Sequence, residues 1–234
     1  MNANPYKENR TPNFSKEEQI FWDNKGTVDY VSLSDHDVSW LKSAIVYKPG
    51  DIILDLGGGS GMMSRIIDRS SSTVVCADIS HNMLKHSPAL NIQSDAKILP
   101  FANNSFDIII AAAFLHHMPG HEDQVFEECY RVLKPGGIFY GYDPNGHSLQ
   151  NKIFMQKNIM RLDRFSPDEM PIYPNKLDTF ASKAGFKKER MYYFSFRYKK
   201  VTMFELIQRY LLTPLAKGVF RKIFHRWFFW TYKK

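Results

Sequence analysis

Residues 51–61, DIILDLGGGSG, constrain the fold of this 234-residue chain more than any other stretch. A run of isoleucine and leucine closes on Asp55, and Gly57, Gly58, Gly59 and Gly61 follow before a segment with helical spacing. A buried strand that turns into a helix through glycines brings backbone N–H groups against a ligand, because glycine adopts left-handed backbone and leaves no Cβ in the way. The spacing then separates ligand classes. A dinucleotide fingerprint, G-x-G-x-x-G/A counted from Gly57, needs glycine or alanine where Met62 stands, and no Gly-Lys-Ser/Thr follows to make a phosphate loop. Asp55 ahead of the glycines repels a pyrophosphate and suits a ligand with a cationic end.

Around this loop, short β-branched runs alternate with helical patterns, the signature of parallel βαβ units. Strands are expected at 51–56, 73–78, 90–94, 106–112, 137–142 and 187–197, and helices at 36–46, 60–69, 80–87, 121–134 and 176–184. Ser34 or Asp35 caps the first helix, Gly185 ends the last, and Lys134-Pro135-Gly136-Gly137 reads as a helix stop and turn. Residues 1–30 have no clear period and are expected to form a lid, and 146–170 reads as helical with a break at Ser166-Pro167.

Two further acidic residues keep register with Asp55. Asp78 ends the second strand, where a carboxylate accepts from two ribose hydroxyls, and Asp95 ends the third, where it accepts from an adenine amine. A turn or helix-capping aspartate is the alternative reading for each.

The stretches ILDLGGGSG, CADISHNML, SDAKILPFANNSFDIIIAAAFLHHM and EECYRVLKPGGIFYGYD, in that order, resemble class I S-adenosylmethionine-dependent methyltransferases, in particular the ubiquinone/menaquinone-type small-molecule group. The likeness spans roughly residues 36–145. It implies an α/β, doubly wound, mostly parallel Rossmann-like sheet of seven strands, or six, with an N-terminal helical cap over 1–45 and an acceptor region over 146–175. It also implies S-adenosylmethionine as cofactor. Gly57, Gly59 and Gly61 would lie against its amino-acid portion and ribose, with Asp55 orienting the ammonium. Asp78 and Ile79 would meet the ribose, Asp95 and Ala96 the adenine, and the chain from Ala113 to His117 would line the methyl-donor pocket. Such folds end in an antiparallel strand pair, of which only 187–197 can be placed from the sequence.

Methyl transfer needs a nucleophile in line with the S–CH3 bond, and a hydroxyl acceptor gains from a positioned base. His117 and His116, at the carboxyl edge after the fourth strand, are the catalytic candidates, with a packing histidine as the alternative. No metal is expected, since adjacent histidines diverge and no cysteine or carboxylate in the sequence pattern completes a tetrahedral set. Asp143-Pro144-Asn145 lacks the pattern of nucleic-acid amino methyltransferases.

Charge is divided unevenly. Residues 1–150 hold 12 Lys+Arg against 18 Asp+Glu, and residues 151–234 hold 19 against 6. Residues 199–234 are read as a basic extension to a 1–198 domain. At 100° per residue, 215–230 puts Leu215, Val219, Phe220, Ile223, Phe224, Trp227 and Trp230 on one face and Lys217, Arg221, Lys222 and His225 on the other; Arg226, Phe228 and Phe229 break the division. This pattern predicts an amphipathic helix on an anionic membrane, with a docked helix, a homodimer contact and nucleic acid as rivals. Cys76 and Cys129 form no framework, and no apolar run of membrane-spanning length occurs, so a cytoplasmic protein at the inner membrane face is expected. The expected reaction is methyl transfer to oxygen of a small-molecule or lipid-linked acceptor. The alternatives are an RNA methyltransferase using the basic part and a noncatalytic cofactor-binding module.

Overall fold

The computed structural model describes residues 14–25, 33–154, 169–196 and 218–234. Its strands are β1 (Ile52–Leu56), β2 (Thr73–Asp78), β3 (Leu90–Gln93), β4 (Phe106–Ala112), β5 (Leu133–Pro144), β6 (Lys187–Phe194) and β7 (Trp227–Lys233). They join in one sheet of order β3-β2-β1-β4-β5-β7-β6. β1 to β5 pair in parallel, while β7 runs antiparallel to both β5 and β6. The strand order reverses between β1 and β4, and in sheets of this kind ligands bind outside the carboxyl ends of the strands at that point.

The helices are α1 (Phe14–Lys25), α2 (Asp35–Ala44), α3 (Met62–Ile66), α4 (His81–Leu84), α5 (Glu122–Val132), α6 (Leu149–Phe154), α7 (Pro174–Ala184) and α8 (Arg221–Phe224). Ser34 caps α2 as expected, accepting from the Asp37 amide at 3.2 Å. Gly185 ends α7 with φ of 103°. The inner strands of the sheet are covered on both faces, while β3 at one edge is exposed. Phe126 and Cys129 of α5 and Leu177 and Ala181 of α7 cover one face, and Leu41 of α2 and Met63 of α3 cover the other.

The chain's end differs most from expectation. Residues 227–233 are an inner strand, so 227–230 are not the last turn of an amphipathic helix over 215–230, and the sheet runs on through the segment read as an extension after residue 198. The physical reason is alternation: Phe228, Trp230 and Tyr232 pack into the core beneath α5 and α7, and Trp227 and Phe229 into the opposite one. The indole of Trp230 crosses β5 at Gly141, where a Cβ would lie 2.1 Å from its ring. Residues 218–224 form a short 3-10 turn and α8, while Leu215 and Lys217 lie outside the described residues.

Smaller differences also have causes. The helices after β1 and β2 are shorter than expected, and β5 starts at Leu133, taking up Lys134–Gly137 through a register shift opposite Phe106 and Ile108. Of the helix expected over 146–170, 149–154 is helical, 155–168 lies outside the described residues, and 169–171 is not helical. No helix among the described residues is long and apolar enough to cross a membrane.

Candidate functional site

The glycine loop leaves β1 in left-handed backbone at alternate positions, with φ of 62° at Gly57, 52° at Gly59 and 80° at Gly61. That alternation explains the spacing, since other residues are strained there. Beneath the loop, the Asp55 carboxylate is fully buried. Its Oδ2 accepts from the Ser64 amide at 2.9 Å and the Ser64 hydroxyl at 2.6 Å, while Oδ1 has no hydrogen-bond partner among the described residues. Burial pushes its pKa up to about 6 against the opposing Ser64 bonds. A buried carboxylate oxygen with an open acceptor site fits a ligand ammonium.

Asp78 stands across the loop. Its Oδ2 accepts from the Gly59 amide and its Oδ1 from the Ser80 amide, both at 2.8 Å, which orients the carboxylate and leaves each oxygen a second lone pair for a hydroxyl. Burial raises its pKa. Ile79 follows, its carbonyl held by Gln93 Nε2 at 3.0 Å. Asp95 is placed at the end of β3 beside the buried Ala96, as the sequence implies, but it is engaged within the protein. Its Oδ2 accepts from Ser15 Oγ at 2.6 Å and pairs with Lys97 Nζ at 3.0 Å. Burial would raise its pKa, but these bonds and the Lys97 charge hold it below its usual range.

Ser15 belongs to α1, which lies across the carboxyl ends of the strands as the expected lid. Asp23 Oδ1 accepts from Ser80 Oγ at 2.6 Å and the Asn82 amide at 3.1 Å, Phe14 packs at a tilt against the His121 ring at 4.9 Å, and Trp22 meets His117 edge-on at 5.1 Å. The signal for α1 was present in the sequence: Phe14, Glu18 and Trp22, four residues apart, are its buried face. Residues 1–13 and 26–32 of the expected lid lie outside the described residues.

After β4, Ala113 takes φ of 52°, a strained value for a residue with a Cβ. The chain then makes a 3-10 turn over Leu115–His117, which sets the two imidazoles side by side, 3.9 Å between centroids, instead of diverging. His116 is buried between two carboxylates: Nδ1 lies 3.0 Å from Asp143 Oδ1 and Nε2 lies 3.3 Å from Glu169 Oε1. Burial pulls its pKa down, but these bonds and charges hold it up at about 9. His117 is kept well below the usual histidine range by burial, the His116 charge and Lys25. Glu169 was missed in the sequence, and with it the carboxylate thought absent there. Potential ligand atoms of His116, His117 and Glu169 fall within 4.8 Å of one another. A cation at this point would have to displace the His116–Glu169 pair.

Residues 54–141 match the family model for a methyltransferase domain. The mouse mitochondrial arginine-hydroxylase NDUFAF5 is 30% identical over 145 residues, covering 58% of this chain and 42% of that protein. The ubiquinone/menaquinone biosynthesis C-methyltransferase UbiE of Legionella pneumophila (strain Corby) is 33% identical over 126 residues, covering 47% and 50%. The chain thus spans half or less of the length of these curated relatives. A solved S-adenosylmethionine-dependent methyltransferase from Archaeoglobus fulgidus superposes with a TM-score of 0.62 at 17% identity, over 84% of this chain and 94% of that one. The sheet is the class I S-adenosylmethionine-dependent methyltransferase fold. Residues 54–141 carry its match to the methyltransferase-domain family.

Proposed function

We propose that this chain transfers the methyl group of S-adenosylmethionine to oxygen of a hydroxyl-bearing small-molecule or lipid-linked acceptor. The observation that carries the reading is the buried Asp55 Oδ1, without a hydrogen-bond partner among the described residues, beneath three left-handed glycines, with Asp78 facing the same loop. Bound there, the cofactor supplies an electrophilic methyl on a sulfonium. Asp55 accepts from its ammonium and Asp78 from its ribose hydroxyls. Gly57, Gly59 and Gly61 let the backbone approach, Ile79 and Ala96 border the nucleoside, and Ala113 borders the methyl end. Asp95 reaches the adenine only by sharing its bonds to Ser15 and Lys97. His117, uncharged at neutral pH, takes the acceptor's proton while α1 excludes water.

A hydroxyl acceptor is supported by the pair of histidines at this edge, and a quinone-related one by the likeness to a protein named for ubiquinone/menaquinone biosynthesis. An anionic membrane surface remains the proposed place of action. It is supported by exposed Phe220 and Ile223 beside Arg221 and Lys222, on the part of the basic segment that is not strand.

The test incubates the purified protein with methyl-labelled S-adenosylmethionine and a panel of phenols and hydroquinones, with and without anionic vesicles. Label recovered as an O-methyl product supports the proposal, and a C-methyl product corrects the atom. Cofactor binding without transfer to any acceptor would leave a noncatalytic module.

A further inference from the structure

Four side chains at the carboxyl edge form a continuous line. Asp143, at the end of β5, is completely buried and accepts from the His116 amide at 3.2 Å, from His116 Nδ1 at 3.0 Å and from Trp230 Nε1 at 3.4 Å. These bonds fix the imidazole ring of His116 and direct Nε2 to Glu169 Oε1 at 3.3 Å. The other Glu169 oxygen, Oε2, lies 3.9 Å from His117 Nδ1. Trp22 closes on the His117 ring from α1.

The order of groups matters chemically. A carboxylate facing Nδ1 of a neutral histidine selects the tautomer protonated there and leaves Nε2 as the basic atom. It also stabilises the imidazolium that forms when Nε2 takes a proton, the role of the third member of a nucleophile-base-orienter set. The 3.9 Å gap is longer than a hydrogen bond, and such contacts commonly shorten once substrate is in place. His116, charged between Asp143 and Glu169, holds Glu169 from the other side. Its charge also disfavours a proton on His117 before the acceptor arrives.

We propose that Glu169 is the positioning residue of the methyl-transfer site, orienting His117 as the base, and that Asp143 and His116 in turn hold Glu169. The inference rests on the methyl-transfer reading. In the step it assigns, the acceptor O–H bond breaks as His117 Nε2 gains the proton. The oxygen's electron pair forms the new O–CH3 bond, and the pair of the broken S–CH3 bond stays on sulfur, leaving the thioether. Among the described residues, the charged and titratable groups facing His117 include Lys25 of α1, His116 and Glu169, and those facing His116 include Asp143 and Glu169. Lys25 opposes protonation of His117, so Glu169 is the group that must offset it.

The experiment is nitrogen-15 histidine NMR of the full chain and of Glu169→Gln, across pH, with S-adenosylhomocysteine present and binding measured in parallel by calorimetry. The proposal expects His117 of the native protein to carry its proton on Nδ1 at neutral pH and His116 to be doubly protonated. It expects Glu169→Gln to lower the His116 titration midpoint by about one unit or more while binding of S-adenosylhomocysteine stays within about twofold. Glu169→Asp, which keeps the charge, should restore most of the midpoint. A His117 protonated on Nε2, or a His116 midpoint unmoved by Glu169→Gln, overturns it. Loss of S-adenosylhomocysteine binding by the native protein would instead overturn the methyl-transfer reading itself.

Discussion

The indole N–H of Trp230 points at Asp143 Oδ2, 3.4 Å away, and so ties β7 to the carboxylate that orients His116. Both side chains are fully buried. Trp230→Phe removes the donor and part of the volume, leaving Asp143 with one bond fewer in a dry site. It should cost about 2 kcal/mol, a fall in Tm of about 4–8 °C, with S-adenosylmethionine affinity retained. Differential scanning calorimetry with a parallel binding titration checks both halves.

Asp55 trades stability for binding. Its pKa is about 6 in the folded protein and near 3.8 when unfolded, so between those values the folded state holds a proton that the unfolded state has lost. Stability therefore falls as pH rises through this window, and above it the buried charge costs ~3 kcal/mol. Asp55→Asn should raise the melting temperature of the ligand-free protein at pH 7 and weaken S-adenosylmethionine binding at least tenfold. In the native protein, affinity should fall as pH drops below about 6, by up to tenfold per unit, as the carboxylate is neutralised. Binding independent of pH between 5 and 7 would remove the Asp55 charge from recognition.

Asp78 offers charge-assisted bonds to ribose hydroxyls. Asp78→Ala should weaken cofactor binding by roughly 1–3 kcal/mol. Calorimetry reads this directly, and unchanged affinity would take Asp78 out of the site.

Ala113 holds a left-handed backbone conformation that a glycine adopts without strain. Ala113→Gly should stabilise the protein by about 1 kcal/mol, about 2–4 °C in Tm, and any loss of transfer rate would locate the use of that strain at the methyl end. Thermal unfolding checks the sign.

The parallel half of the sheet was legible because its strands are β-branched runs set between helices, and β2 and β4 fall at the expected residues. β7 was not, because a strand buried on both faces is apolar throughout and satisfies a helical projection almost as well. The misfits carried the answer: Phe228 and Phe229 broke the helical division because they face opposite sides of a sheet. The pairing of β7 with β5 joins segments far apart in the chain, and no local pattern encodes it. Asp55, Asp78 and the glycines were readable from strand ends and spacing. Glu169 was not, since nothing in the sequence around it, beside Asp168 near the end of the stretch read as helical, points to the histidines it meets once the chain is folded. Asp95 fell where expected, yet its bond to Ser15 depends on how α1 docks.

The central claim is that the glycine loop with Asp55 and Asp78 is an S-adenosylmethionine site. Calorimetric titration of the purified chain with S-adenosylmethionine, and separately with NAD, tests it most directly. The account predicts one saturable site for S-adenosylmethionine, weakened by Asp78→Ala, and no heat of binding for NAD. Binding of NAD, or of neither ligand, would contradict it.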